Sequence, residues 1–265
     1  MTKPNKLLRK FFLAVAIVGI FLATGCTSTS GSIVEPENLP HAQSFLSIGG
    51  LLIHYSDSNP TATDQPVLVL QHGFGGNLAN FSAIHDALAQ EFRVIAFDRP
   101  PFGYSSKALP RDFASEGCIT NPYTPQAQAG LLFCVLDELG IERAIVLGHS
   151  AGGNATLDAA AAHPERISAV ILVAPAIGGR QVPAPIRLLM STPPIRALGS
   201  SIIRRSFADR NTILEQSFYD PAKITPEIRD QYARGSQMAD WEQALWQYTI
   251  DARTTDWQTA AHTIA

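Results

Sequence analysis

The sequence predicts an α/β fold built on a mostly parallel, doubly wound sheet. Three observations carry that prediction. Short apolar runs recur at PVLVLQ (66–71), FRVIAFD (92–98), RAIVLG (143–148) and ISAVILVAPA (167–176), and such runs suit strands buried on both faces. Segments with helical spacing separate them, and strands alternating with helices argue for βαβ units. From about 177 to 257 no buried strand occurs, so that stretch reads as a helical lid over the sheet.

Each element has its own signal. SFLSIGGLLIHY reads as two short strands around Gly49–Gly50, a hairpin. FSAIHDALAQ sets Phe81, Ile84 and Leu88 at helical spacing. Thr124 and Pro125 form an N-cap and first-turn pair that opens a helix. Its apolar face carries Ala127, Leu131, Leu132, Val135 and Leu139, and Gly140 stops it. The alanine-rich AGGNATLDAAAAH is a further helix, ended before Pro164. PIRALGSSIIRRSF and WEQALWQYTIDA are helical pieces of the lid.

Apolar residues make up 46 % of the chain and charged ones 16 %. That balance suits a packed core and excludes general disorder. The first residues differ from the rest. MTKPNKLLRK carries four positive side chains and no acid, then FFLAVAIVGIFLA runs apolar to TGC. This layout predicts a signal peptide over 1–25; a spanning helix would want about 20 apolar residues. LATGC resembles the lipobox of bacterial lipoproteins, with Ala23 where leucine is commoner. The resemblance implies cleavage before Cys26, lipidation of its sulfur, membrane attachment through that lipid, and a bacterial cell-envelope location facing the periplasm or outside. Residues 26–43, rich in Ser, Thr, Pro and Gly, read as a lipid-anchored tether. Without residues 1–25 the acids outnumber the bases, which argues against nucleic acid as a partner. Cys118 and Cys134 remain as an even pair, either one disulfide or two free thiols.

The chemistry concentrates at VLGHSAGGNA (146–155). Gly148, His149, Ser150, Ala151 and Gly152 match G-x-S-x-G between a strand and a helix. A serine on so sharp a turn needs small neighbours two places to either side, and the helix start beneath offers free N–H groups to an anion. HGFGGN (72–77) follows the first buried strand, and DRPPFGYS (98–105) follows the second.

With these three motifs in order, the sequence resembles the α/β-hydrolase superfamily over 44 to about 257. The resemblance implies a core at 44–176 and a lid at 177–257. It makes Ser150 the nucleophile and the backbone N–H groups of Phe74 and Ala151 the oxyanion hole. His72, Gly73, Gly148, His149 and Gly152 would support the two turns, with His149 pointing away from the site. Asp98 and Arg99 would fix a turn; Pro101 stands where the family usually has glycine. A serine at the elbow excludes relatives that use aspartate there. It leaves ester, thioester, amide or carbon–carbon bond hydrolysis of a small substrate, for which the lid's Leu, Ile, Met and Trp residues suggest apolar or aromatic character. No cofactor and no metal is expected.

The family's acid and histidine come late, each after a further strand. Neither strand is found: PAIGGR (175–180) holds no acid, and after the lid only 258–265 remain. His163 ends the helix after Ser150 and is expected beside that helix's last carbonyls. His262 lies on the correct side of the lid but has no preceding strand to carry it to the sheet. The expectation is a hydrolase cut before the strand that brings the acid, with 167–174 left as an apolar sheet edge prone to pair with other chains. The alternative is a non-catalytic lipoprotein that keeps the fold as a binding or scaffold module.

Overall fold

The computed structural model describes residues 44–113, 119–177, 182–207 and 210–252, without the side chains of 210–213. The signal segment, the tether, Cys26, Cys118 and His262 lie outside the described residues. Cys134 is disulfide-bonded. No helix among the described residues is long and apolar enough to cross a membrane.

Among the described residues six strands form one sheet: β1 Ser44–Ile48, β2 Leu51–Asp57, β3 Val67–Gln71, β4 Arg93–Phe97, β5 Ala144–His149 and β6 Ile167–Val173. Their spatial order is β1-β2-β4-β3-β5-β6. β1, β2 and β4 pair antiparallel, and β4, β3, β5 and β6 pair parallel. Gly49 (φ 57°) and Gly50 (φ 80°) turn the first hairpin, and positive φ at both central residues is what a type I′ turn requires.

Helices α1 Ser82–Leu88, α2 Pro125–Glu138 and α3 Ala151–Ala162 cover the sheet. Alternation along β3 shows both faces in use. Val69 packs with Leu132, Val135 and Leu136 of α2 and Ala159 of α3. Leu68 and Leu70 pack with Phe81 and Leu88 on the opposite face. α2 begins as its sequence suggests, with the Thr124 side chain accepting from the Ala127 N–H and Pro125 in the first turn. At the end of α3, His163 pairs with Glu165 (3.1 Å) and its ring lies against Phe133 (4.8 Å). Its imidazole thus finds a carboxylate, and the expected contact with the last helix carbonyls is replaced.

Helices α4 Ala184–Met190, α5 Pro193–Ser206, α6 Arg210–Ser217, α7 Pro226–Ala233 and α8 Trp241–Asp251 follow β6. α5 and α8 pack so closely that a Cβ at Gly199 would fall 2.2 Å from the Trp246 ring. α8 also seats on the core, where Ala244, Leu245 and Tyr248 join Phe102, Leu109 and Tyr123.

The strand order places the site. β3 has β4 on one side and β5 on the other, so the chain reverses its winding direction between β3 and β5. The loops leaving those two strands must diverge, and a crevice opens at such a switch point. The loop after β3 is HGFGGN and the loop after β5 carries Ser150. Among the described residues β6 forms the sheet edge, with Ile171, Leu172 and Val173 exposed.

Candidate active site

Ser150 joins β5 to α3 with φ 51° and ψ −118°. A non-glycine residue there carries roughly 1–3 kcal/mol of strain and persists only where its surroundings fix it. Here they do. The Ser150 N–H donates to the Val173 carbonyl (3.0 Å), and its carbonyl accepts from the N–H groups of Gly153 (2.9 Å) and Ala176 (3.0 Å). The two outer glycines have steric reasons. A Cβ at Gly148 would lie 2.4 Å from Thr156 Oγ1, and one at Gly152 would lie 2.3 Å from the Gln71 carbonyl oxygen.

The loop after β3 is pressed against this turn. A Cβ at Gly73 would come within 3.0 Å of Ser150 Cβ. The predicted oxyanion loop and the predicted nucleophile are therefore neighbours. Phe74 is half exposed, with its ring against Phe102 (5.4 Å) and Tyr248 (6.0 Å). Ala151 is the first residue of α3, a position whose N–H has no intrahelical acceptor. His149 borders the same loop: its Nδ1 lies 3.1 Å from where a Gly73 Cβ would be.

His72 anchors the loop from below. It is fully buried, donates through Nδ1 to the Gly73 carbonyl (2.8 Å) and accepts at Nε2 from the Arg99 N–H (2.9 Å). Both ring nitrogens are used by the neutral form. Burial, with the Arg99 charge second, pushes its pKa down to about 3. His72 is accordingly a fixed neutral strut.

The loop after β4 does what the sequence suggested and more. Asp98 accepts from His54 Nδ1 (2.7 Å) and from the N–H groups of Leu78 (2.7 Å) and Tyr104 (2.8 Å). Burial alone would raise its pKa, but the His54 hydrogen bond and charge and the Leu78 N–H hold it below the usual value. Gly103 (φ 51°) packs on this carboxylate, where a Cβ would sit 1.8 Å from Oδ2. Buried Lys107 donates to the carbonyls of Gly103 (2.8 Å) and Ser105 (2.5 Å), and burial lowers its pKa to about 7. Arg99 donates to the His72 carbonyl (2.6 Å) and to Gln128 Oε1 (2.7 Å). Sequence reasoning placed Asp98 and Arg99 in a turn. It missed Gln128 and Tyr248, which carry no motif signal and reach the site only through tertiary packing.

Among the described residues Ser150 Oγ makes no hydrogen bond to an imidazole or a carboxylate. His54 and His85 are engaged with Asp98 and Asp86. No described group of three His, Cys, Asp or Glu side chains could hold a metal ion. What the arrangement offers is a half-buried serine on a strained turn, at the start of α3 and against the loop that carries Phe74. Further along that loop, Gly75 and Gly76 line a cavity with Phe102, Phe207, Trp241 and Leu245.

Comparisons with known proteins agree with this geometry. A family model described as alpha/beta hydrolase fold matches residues 66–200. The chain is 32 % identical over 188 residues to the dihydrolipoyllysine-residue acetyltransferase component of an acetoin cleaving system from Pseudomonas putida, covering 69 % of this chain and 44 % of that protein. It is 34 % identical over 122 residues to the putative carbamate hydrolase RutD of Caulobacter sp. (strain K31), covering 46 % and 41 %. The chain thus spans less than half the length of these two curated relatives. The crystal structure of wild-type Cfl2 from Burkholderia cenocepacia superposes with a TM-score of 0.61 at 20 % identity, over 83 % of this chain and 72 % of that one. At that identity the likeness concerns the fold.

Proposed function

The chain belongs to the α/β-hydrolase fold family, and on that premise we propose that it is a serine hydrolase acting by acyl transfer on a small ester-like or carbon–carbon-linked substrate. The observation that carries this reading is the strained Ser150 held against Gly73 at the start of α3. A scaffold has no need of a turn that carries strain and forbids side chains around it.

In this reading Ser150 Oγ attacks the substrate carbonyl and loses its proton to a general base. The oxygen of the tetrahedral intermediate becomes negative and receives the N–H groups of Phe74 and Ala151. One such donor typically contributes about 3 kcal/mol to the transition state. Collapse expels the leaving group and leaves an acyl group on Ser150, which water removes. The apolar cavity beside Phe102 and Trp241 suits an apolar or aromatic substituent. The identity of RutD as a putative carbamate hydrolase supports carbonyl chemistry of this kind.

The general base is assigned to no described residue, and that observation favours the second reading, a binding or scaffold module. Turnover of short p-nitrophenyl esters separates the two. The hydrolase reading expects the wild-type chain to exceed Ser150→Ala by about 10³-fold or more; equal rates support the scaffold. We further propose that Cys26 is lipidated and holds the domain at the cell envelope. Incorporation of a labelled fatty acid, lost in Cys26→Ser, is the expected result, and unchanged labelling would refute it.

A further inference from the structure

We propose that Arg99 forms an anion subsite beside the oxyanion hole, and that the substrate carries a carboxylate close to the carbonyl under attack. The proposal rests on the serine-hydrolase reading for the identity of that carbonyl, and on separate observations for the subsite.

Arg99 is 1 % exposed, and a guanidinium stays charged in proteins. A buried charge calls for a counter-charge. The other buried arginine, Arg93, has one: Asp57 Oδ2 lies 2.6 Å from its Nη2. Arg99 makes no ion pair among the described residues. Its sequence neighbour Asp98 is occupied by His54 and two backbone N–H groups. The Arg99 arms that are used meet neutral groups: the His72 carbonyl and Gln128 Oε1 accept from them, and the Tyr248 side chain is a further hydrogen-bond partner. Its Nε–H is sealed from solvent and has no acceptor. Burial works against the charge, and Tyr248 is the described group that supports it.

Arg99 also lines a cavity shared with Tyr123, Gln128, Ala151, Asn154 and Tyr248. Ala151 begins α3, a helix of 12 residues, so free N–H groups and the positive end of the helix dipole meet the guanidinium there. The described carboxylate in this cavity, Asp158, sits two turns further along α3, about 10 Å along the axis from Ala151. Its charge favours an anion at the Ala151 end over its own. A purely structural arginine would account for the bonds to His72, Gln128 and Tyr248. It would not account for an idle Nε–H and the lack of an ion pair among the described residues, beside a cavity that Ala151 also lines. A planar carboxylate has the shape and charge that guanidinium recognition favours.

The test titrates the Ser150→Ala chain with monomethyl succinate and with its neutral counterpart, methyl succinamate. The readout is the side-chain Nε–H resonance of Arg99 in nitrogen–proton NMR, identified as the signal missing from Arg99→Lys. The subsite predicts a saturable shift with the carboxylate, at least about tenfold tighter than with the amide, weakening as salt is raised. No shift, or an equal response to both ligands, overturns it. Should Arg99→Lys fail to fold, Ala155→Asp identifies the signal instead. That substitution places a carboxylate in the cavity lining, and the subsite predicts that it moves the resonance without ligand and abolishes the response to monomethyl succinate. Fluorophosphonate labelling of the wild-type chain is read in parallel. Labelling of Ser150 with no carboxylate response overturns the subsite and keeps the hydrolase. A carboxylate response without labelling keeps the anion site and removes the hydrolase.

Discussion

On one side of Ser150 the loop after β3 and the first turn of α3 pack so closely that Gly148 and Gly152 have no room for a side chain and Gly73 has little. On the other side β6 is the last strand of the sheet among the described residues, with Ile171, Leu172 and Val173 exposed. The first side holds buried polar groups with assigned partners, His72 and Arg99 foremost. The second offers Ser150 only backbone contacts, at Val173 and Ala176. The difference separates two tasks of the site. Stabilising an oxyanion needs backbone groups fixed by packing, and the proposed donors, at Phe74 and Ala151, belong to the packed side. Moving a proton needs a titratable side chain within hydrogen-bond reach, and the described residues bring none to Ser150 Oγ.

The largest effect should come from crowding the packed side. Gly152→Ala puts a methyl group 2.3 Å from the Gln71 carbonyl oxygen and 2.6 Å from that of His72. Backbone on both sides leaves little room to relax. A loss of about 3 kcal/mol is expected, read as a lower midpoint in urea denaturation with an unchanged slope. Gly152→Ala that unfolds at the wild-type midpoint would contradict the packing argument.

The next effect is a pH dependence from the same side. The folded pKa of His72, about 3, lies below its ordinary 6.5. The unfolded chain therefore binds the extra proton first as pH falls. The contribution of neutral His72 is complete above pH 6.5 and is lost progressively between 6.5 and about 3. The steepest slope from this group is about 1.4 kcal/mol per pH unit. Asp98, whose pKa is lowered from 3.8, adds its own loss only below that value. Equilibrium unfolding between about pH 6 and about 4.5 isolates the histidine, below the range in which buried Lys107, with its pKa of about 7, titrates. His72→Asn should flatten this profile, and an unchanged slope in that variant would assign the dependence elsewhere.

The smallest effect on stability should be on the open side. Ile171→Lys changes an exposed edge position, where the stability change should stay within about 0.5 kcal/mol. The same substitution should lower self-association, because a charge on an edge strand opposes pairing with another chain. Sedimentation velocity of both chains checks this. A large loss of stability in Ile171→Lys would mean that the edge is covered by packing.

The contrast also explains what was legible in the sequence. The four apolar runs, the hairpin at Gly49–Gly50 and the Thr124–Pro125 helix start were readable because period, turn chemistry and capping are local. G-x-S-x-G was readable as a local pattern, although only Gly148 answers to contacts within its own strand–turn–helix unit; Gly152 answers to the Gln71 and His72 carbonyls at the end of β3. Arg99 was visible only as part of a turn. Its burial and its lack of a carboxylate depend on Gln128 and Tyr248, which lie 29 and 149 residues further along the chain. The closeness of His149 to Gly73 gave no signal either, because Gly73 belongs to a different strand's loop. His54 likewise gave no signal by itself, as its partner Asp98 is supplied through the pairing of β2 with β4.

The central claim is that the fold presents Ser150 as a reactive hydroxyl against two backbone donors. The most direct measurement is peptide mapping by mass spectrometry after treating the full chain with a fluorophosphonate. The account predicts one adduct, on Ser150, absent when the protein is unfolded first. An adduct on another residue, or none on the folded chain, would contradict it.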